Sequence, residues 1–337
     1  MTDEAFFYAQ GLLATELLEI SHDPSDLDRP GFWAVVGTFE EEWTLARFGR
    51  VQNAELPNSV KPWRPIPAQA WTSSLSQDQY EAAVETTREE IAKGTVYQVN
   101  ICRVLSSPLN AEQDLLALAH LINLQNPAPH SSFLRLPDLE IVCASPELFL
   151  NRDGKELLSS PIKGTGVEPG DMGAKDMAEN IMIVDLVRND LGIVAEIGSV
   201  EVPRLLAIEE HPGLYHLVSD IKAIVKSETS WTEILAATFP PGSVSGAPKS
   251  SALRLIAKLE PTPRGPYCGA IGWVTGDRAS LAVGIRTFWR QQDQQLRFGT
   301  GAGITWGSNA ALEWKETELK AARLIGLASG SKVAFLK

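Results

Sequence analysis

The chain of 337 residues is 44% hydrophobic and carries 30 basic against 42 acidic side chains, a formal net charge of −12. That is enough apolar content for one large core or two smaller ones. The acidity, with no long basic run against it, argues against nucleic acid or an anionic membrane as the main partner. It leaves room for an anionic metabolite held by a few converging basic groups.

Cys102, Cys143 and Cys268 form neither a CxxC pair nor an even framework, the pattern of a reduced, cytoplasmic protein without a cysteine-based metal site. The start, "MTDEAFFYAQGLLATELLEI", has acids where a secretion signal needs bases, and no apolar run reaches the roughly 18 residues of a membrane span. Residues 1–72 hold β-rich stretches ("GFWAVVGTF", "WTLARFGRV") and end in the proline cluster "LPNSVKPWRPIPAQ". They are read as an N-terminal segment packing on the core, with the cluster as its boundary to a main domain over 73–337.

Beyond the cluster, "SQDQYEAAVETTREEIAKG" starts on Ser and stops on Gly, and predicts a helix. "TVYQVNICRVLSS" reads as a strand and "DLLALAHLINLQ" as a helix. "SSFLRLPDLEIVCASPELFLNRDGKELLSSPIKG" reads as three successive strands with a hairpin at "DG". A long helix, "MAENIMIVDLVRNDLGIVA", precedes strands around "GSVEVPRLLAIEE" and "LYHLVSDIKAIV". The remainder alternates: helix "SSALRLIAKLE", strands "GAIGWVTG", "RASLAVGIRTFWR" and "QQLRFGTGAGITW", and helix "ALEWKETELKAARLIGLA". Runs of adjacent strands divided by helices predict an α+β fold with antiparallel sheets.

Several stretches carry residues suited to chemistry. In "PIKGT", Lys163 is either a solvated charge at a turn or an amine held in a site. "GSVSGAPKSS" has glycines ahead of a lysine and a helix but fails the phosphate-loop spacing, since three residues separate Gly242 from Gly246 and Ala247-Pro248 precede Lys249. A tight loop leading into a helix remains. On the last helix Glu313, Glu316 and Lys320 share a stripe that continues through Leu324 and Leu327. That stripe is an inward face with ionised groups in it, or a solvated face with an ordinary i,i+4 pair. Glu179 and Asn180 are embedded in another apolar helix, and two glutamates from two helices would suit Mg²⁺. Arg286 in "GIRT" could hold a carboxylate, with backbone amides of "GTGAGI" approaching it. His216 taken alone reads as structural.

Together "YQVN", "SPELFL", "PIKGT", "AENIMIVDLVRNDL", "HLVS", "SGAPK", "RGPYCGAIGW", "IRT", "GAGI" and "ETELKA", in this order over roughly residues 75–328, resemble the chorismate-utilising enzymes. Within that group the chain is similar to the aminodeoxychorismate synthase large subunits, which are related to anthranilate synthase component I. The resemblance implies a four-layer α/β/β/α sandwich of two antiparallel halves. Two positions discriminate within the group. Gln98 stands where isochorismate and salicylate synthases carry a lysine base, and Lys163 stands where anthranilate synthases usually have Ala.

The implied activity is amination of chorismate at C4 to 4-amino-4-deoxychorismate, for 4-aminobenzoate and folate synthesis. Ammonia would come from a partner glutaminase, because the chain has no nucleophile elbow and no Cys-His-Glu set. The resemblance implies catalytic roles for Lys163 as nucleophile, Glu147 as proton donor and His216 beside the departing hydroxyl. Glu179, Glu313 and Glu316 would hold Mg²⁺. Tyr267, Arg286, Gly301, Ala302, Gly303, Lys320, Gln98 and Thr165 would contact substrate. An anthranilate-type synthase and a catalytically silent chorismate-binding subunit are the alternatives. Gly166 replaces the usual Arg, Pro241 precedes "GSVSGAPK", and the N-terminal part is shorter than usual, although "LLEIS" resembles the family's tryptophan-pocket motif.

Overall fold

The computed structural model describes residues 4–110, 113–166, 168, 170–211 and 214–331, apart from the side chains at 165, 211 and 214. Strands β1 (Phe6–Ala9), β2 (Leu12–Ser21), β3 (Phe32–Gly37) and β4 (Trp43–Asn53) come first. They are followed by β5 (Thr72–Ser73), helix α1 (Gln77–Ala92), β6 (Gln98–Pro108) and α2 (Leu115–Gln125). Next are β7 (His130–Arg135), β8 (Leu139–Ser145), β9 (Leu148–Asp153), β10 (Glu156–Ser160) and β11 (Ile162–Gly166). Helix α3 (Ala174–Val194), β12 (Glu201–His211), β13 (Leu214–Ile224), α4 (Trp231–Thr238), the short α5 (Gly242–Ser245) and β14 (Gly246–Ala247) lead to α6 (Lys249–Leu259). The chain closes with β15 (Ala270–Thr275), β16 (Arg278–Val283), β17 (Thr287–Gln291), β18 (Gln295–Ile304) and α7 (Ala310–Ala328).

Every strand pairing among the described residues is antiparallel. One path runs β6–β18–β17–β8–β7–β1. It continues through β2–β4–β3 to β15–β16–β9–β10–β13, where both β11 and β12 pair with β13. Residues before the proline cluster thus supply the strands that join the two halves. Helices α2 and α7 pack on β8 and β18, and α1 packs on α7. On the other side α3 covers β11, β12 and β13, with α4 packed on α3. The architecture is the four-layer α/β/β/α sandwich of the α+β class. Strand β6 shows why the layers are needed: Gln98 to Leu105 are all buried, so both faces of the strand must be covered.

Local chemistry explains most boundaries. α1 begins in a capping box in which Ser76 and Gln79 satisfy each other's backbone amides at 3.2 and 2.9 Å. Residues 131–164 form five strands rather than three, because Pro137, Pro146 and Pro161 stand between segments and cannot donate to a ladder. "RASLAVGIRTFWR" splits into β16 and β17 at Gly284–Arg286, where Arg286 takes a left-handed φ of 52°. The sequence pattern did not mark α4, which Ser230 caps with Glu233. No described helix is long and apolar enough to cross a membrane, and the three cysteines are buried free thiols.

Candidate active site

Lys163 lies on β11, where the register against β13 shifts between Ile162 and Thr165 and Gly164 takes a φ of +83°. Such a bulge re-aims a side chain away from regular alternation. The half-buried lysine donates from Nζ to the carbonyl of Ser243 at 2.6 Å. Glu147 occupies the corner between β8 and β9 that Pro146 creates. Its N–H donates to Ser145 Oγ at 3.2 Å and its carbonyl accepts from Val283 N at 3.0 Å. The side chain is 3% exposed, and Oε1 has no hydrogen-bond partner.

Burial pushes the Glu147 carboxyl above the ordinary carboxylate range, against the lowering effect of the Ser243 hydroxyl and the Lys163 charge. Burial also pulls the Lys163 amine below the ordinary lysine value, against the attraction of Glu147 and Glu179. Both shifts favour the neutral forms, a protonated acid and an unprotonated amine. Ser243, which sequence reasoning did not single out, touches both groups. It sits on α5, which Arg264 anchors: this fully buried guanidinium donates to Val244 O at 2.9 Å, to Asn100 O at 2.7 Å and to Glu260 at 2.6 Å. The available signal was "GSVSGAPK", whose Gly242 leaves no space for a Cβ beside Leu186 (2.7 Å).

A second group of charges faces this pair. Glu179 on α3 accepts from Gln98 Nε2 at 3.4 Å and lies 3.8 Å from Lys175. Burial raises its pKa, with Lys163 and Lys175 opposing and Glu316 adding to the rise. On α7, Glu313 is buried and raised for the same reason, whereas for Glu316 the cost of burial is outweighed by Lys320, at 2.6 Å, together with Lys175 and Lys163, and its pKa is lowered. The α7 stripe therefore mixes both readings of it. Glu313, Leu324 and Leu327 face inward, and Glu316 and Lys320 form a solvated i,i+4 pair with side chains 46% and 51% exposed. Lys320 also donates to Gly301 O at 3.2 Å. In an antiparallel strand one residue's N–H and C=O point the same way, so the Gly301 amide faces that side too.

The glycines of β18 serve packing first. A Cβ at Gly299 would meet the Tyr267 ring at 2.0 Å, at Gly301 it would meet Cys102 Sγ at 2.5 Å, and at Gly303 it would meet Gln98 Nε2 at 2.4 Å. Space expected for close approach of a ligand to backbone at Gly303 is taken by Gln98, with Glu179 Oε2 at 4.0 Å. Ala302 between them is fully buried. Tyr267 is buried with its phenol pKa raised, which keeps it a neutral donor. His216 is 1% exposed on β13, opposite Thr165 in the register; the Thr165 side chain lies outside the described residues.

Arg286 sits at the β16–β17 corner, its carbonyl accepting from Ala144 N at 3.1 Å. Its left-handed φ costs on the order of 1 kcal/mol for a non-glycine residue, strain of the kind kept where a side chain must be aimed. Burial, helped by the Arg323 charge, lowers its pKa to about 10. It therefore stays charged at pH 7, and no described carboxylate forms an ion pair with it. A half-buried cation without an internal ion-pair partner is suited to an anionic ligand. Its link to the other groups runs through α7, on which Arg323 and Lys320 both stand, rather than directly to Lys163.

Among the described residues no three acidic, His or Cys groups stand close enough to hold a metal ion. The chemistry of the donors nonetheless fits Mg²⁺. Glu179, Glu313 and Glu316 offer hard carboxylate oxygens, and each of the three is coupled to at least one other. Lys175 and Lys320 balance them here.

The family model of chorismate binding enzymes matches residues 35–326. The chain belongs to the chorismate binding enzyme family. Aminodeoxychorismate synthase component 1 of Salmonella typhimurium is 37% identical over 269 residues, covering 76% of this chain and 59% of that protein. Anthranilate synthase component 1 of Saccharolobus solfataricus is 35% identical over 263 residues, 74% of this chain and 62% of that protein. The chain thus spans about three fifths of the length of these relatives. In fold it matches anthranilate synthase component I from Streptococcus pneumoniae with a TM-score of 0.79 at 22% identity, covering 96% of this chain and 93% of that one. The menaquinone-specific isochorismate synthase MenF of Escherichia coli matches with the same score at 19% identity, covering 97% and 89%.

Proposed function

We propose that the chain aminates chorismate at C4, giving 4-amino-4-deoxychorismate, as a cytoplasmic enzyme of 4-aminobenzoate and folate synthesis. The observation that carries this reading is the Lys163–Glu147 pair. Burial drives the amine toward its nucleophilic form and the carboxyl toward its proton-donating form. At an unperturbed pKa near 10.4, only about one lysine in 2,500 is neutral at pH 7, so a lowered value directly enlarges the reactive fraction.

The Nζ lone pair bonds to C2 of chorismate while the ring double bonds shift and the C4–O bond breaks. Glu147 gives its proton to the departing hydroxyl, which leaves as water. Ammonia then bonds to C4, the double bonds return, and the Nζ–C2 bond breaks to restore the lysine. Glu147 is left as a carboxylate and must regain a proton before the next turnover. Arg286 and Tyr267 hold substrate carboxylates, with Lys320 and the Gly301 amide beside them, and His216 packs near the leaving group. Glu179 and Glu316, with Glu313, would hold Mg²⁺, which when bound draws electron density toward the ring carboxylate.

The names of the relatives support this reading, since aminodeoxychorismate synthase component 1 stands at 37% identity. A protein named component 1 implies a second component, and we assign that role to a glutaminase supplying ammonia. An anthranilate-type synthase is the competing reading, because relatives of that name reach 35% identity; Lys163 speaks against it. Incubation with chorismate, Mg²⁺ and ammonium, followed by mass identification of the product, tests the proposal. Aminodeoxychorismate without pyruvate is expected, and stoichiometric pyruvate in a coupled assay would overturn it. Glutamine should support turnover only after a glutaminase is added.

A further inference from the structure

Glu147 lines a small, partly open cavity of about 20 Å³, room for one water molecule. Two acidic residues line it, Glu147 from the β8–β9 corner and Asp190 from α3, together with Ser159, Thr238 and Ser243. The rest of the wall is mainly apolar. Glu147 Oε1 is fully enclosed and has no partner in the protein. A buried carboxyl oxygen left bare costs on the order of 1–3 kcal/mol, and a cavity of this size, with a second carboxylate and three hydroxyls in its wall, offers the means of satisfying it.

Asp190 is itself 6% exposed and bound to Lys249 of α6 at 2.7 Å, while Lys249 also donates to Thr238 O at 3.1 Å. Lys249 is only half-buried and so connects this pair to solvent. The charged groups around Glu147 are Lys163 from β11, Asp190 from α3 and, beyond Asp190, Lys249 from α6. The residues that α4, α5 and β16 contribute to the cavity wall are uncharged.

We propose that a single water bound in this cavity bridges Glu147 Oε1 to Asp190, making Asp190 a positioning residue that couples Glu147 to Lys249 and solvent. The bridge follows from the cavity and the bare oxygen alone. Its use rests on the amination reading. Once Glu147 has given its proton to the leaving hydroxyl, the bridging water passes a proton to Oε1 and takes one from the Asp190–Lys249 pair, which recovers it from solvent. Atoms and charge balance with no co-reactant other than a solvent proton. The acid is thus reset from behind while substrate or product still occupies the front.

The first test is a high-resolution crystal structure of the wild-type chain. A water hydrogen-bonded to both Glu147 and Asp190 is expected, and an empty cavity or a water touching neither carboxyl overturns the bridge. The second is infrared titration of the Glu147 carboxyl, identified by subtraction of the Glu147→Gln spectrum. The paired variant Asp190→Asn with Lys249→Met removes an anion and a cation together, so neither is left buried alone. It should lower the Glu147 midpoint by about one pH unit, tenfold in proton affinity, because the nearer of the two lost charges is the anion. An unchanged midpoint overturns the coupling. If the chain makes no aminodeoxychorismate, the proposed reaction fails while these two measurements still decide the bridge.

Discussion

The site contains two glutamate–lysine pairs of identical composition and opposite electrostatics. Glu147 is enclosed in a wall with Ser243, Pro161 and Val283, Lys163 lies half-buried near it, and both shift toward neutrality. Glu316 and Lys320 meet one helical turn apart on α7, each about half exposed, and the Glu316 pKa falls. At the half-exposed pair the attraction of Lys320, joined by Lys175 and Lys163, outweighs desolvation. In the wall desolvation is the larger effect and reverses the sign. Only Glu316 and Lys320 are close enough for a salt bridge, at 2.6 Å; Lys163 donates instead to the Ser243 carbonyl. Burial separates a pair driven toward its neutral forms from one whose carboxyl is held below the ordinary range.

The largest effect is expected from removing the amine of the buried pair. Lys163→Met keeps length and apolar volume, so it should fold. Its kcat for aminodeoxychorismate should drop by roughly three orders of magnitude, about 4 kcal/mol of barrier, with KM nearly unchanged. Steady-state kinetics with ammonium decide it. A variant retaining most of the wild-type kcat reduces Lys163 to a positioning charge, and the contrast between the two pairs loses its catalytic meaning.

Glu147→Gln removes the proton donor and should lower kcat by about 10²-fold or more. The same change should raise Tm at pH 7. The folded pKa of Glu147 lies above its unfolded value, so its contribution to stability is fully present below the unfolded value and is lost as pH rises through the folded pKa. The amide carries no such loss. The gain in Tm should therefore shrink as pH falls toward the ordinary carboxylate value of 4.5, measured by calorimetry across pH. An activity loss without that pH-dependent gain would mean that Glu147 is not held against ionisation.

These contrasts show what sequence could and could not reveal. The α+β class, the helices α1, α3 and α7, and the antiparallel strands follow from capping residues, periodicity and proline breaks, all local properties. Glu179 stood out as a carboxylate embedded in an apolar helix, but Lys163 and Glu147 were recognised through ordered motifs rather than through any local rule, since nothing within "PIKGT" distinguishes a buried lysine from a turn. Ser243 and Asp190 escaped because their roles depend on α5 and α3 meeting β11 and the β8–β9 corner, with Asp190 43 positions from Glu147 and Ser243 80 positions from Lys163. The two readings of the α7 stripe could not be separated in advance either. Burial changes within one turn, from Glu313 inside to Glu316 outside, and returns at Thr317, so the stripe runs along the boundary between the helix's two faces.

The glutamates that face the buried pair should respond in metal affinity rather than in chemistry. Glu179→Gln should weaken Mg²⁺ binding on the order of tenfold by losing one hard anionic oxygen, read by isothermal titration without substrate. Lys163→Met and Glu147→Gln should leave that affinity within about twofold. Equal losses in all three variants would merge the two groups of charges into one and end the comparison.

The smallest effect is expected at the exposed pair, and its sign is the useful part. The folded pKa of Glu316 is depressed, so its contribution to stability is present above the unfolded value and is lost as pH falls through the folded one. Glu316→Gln, measured with a chelator present, should therefore lower Tm slightly at neutral pH. The difference should vanish in acid, the reverse of Glu147→Gln. The shift will be small, because both partners are about half exposed and solvent screens the pair. Raising the salt concentration should shrink it further, while leaving the Glu147 effect nearly intact, since few ions reach a carboxyl that is 3% exposed. A Glu316 variant that gains stability at neutral pH would place this carboxylate among the desolvated groups. The division of the site into a dry reacting pair and a wet holding pair would then be wrong.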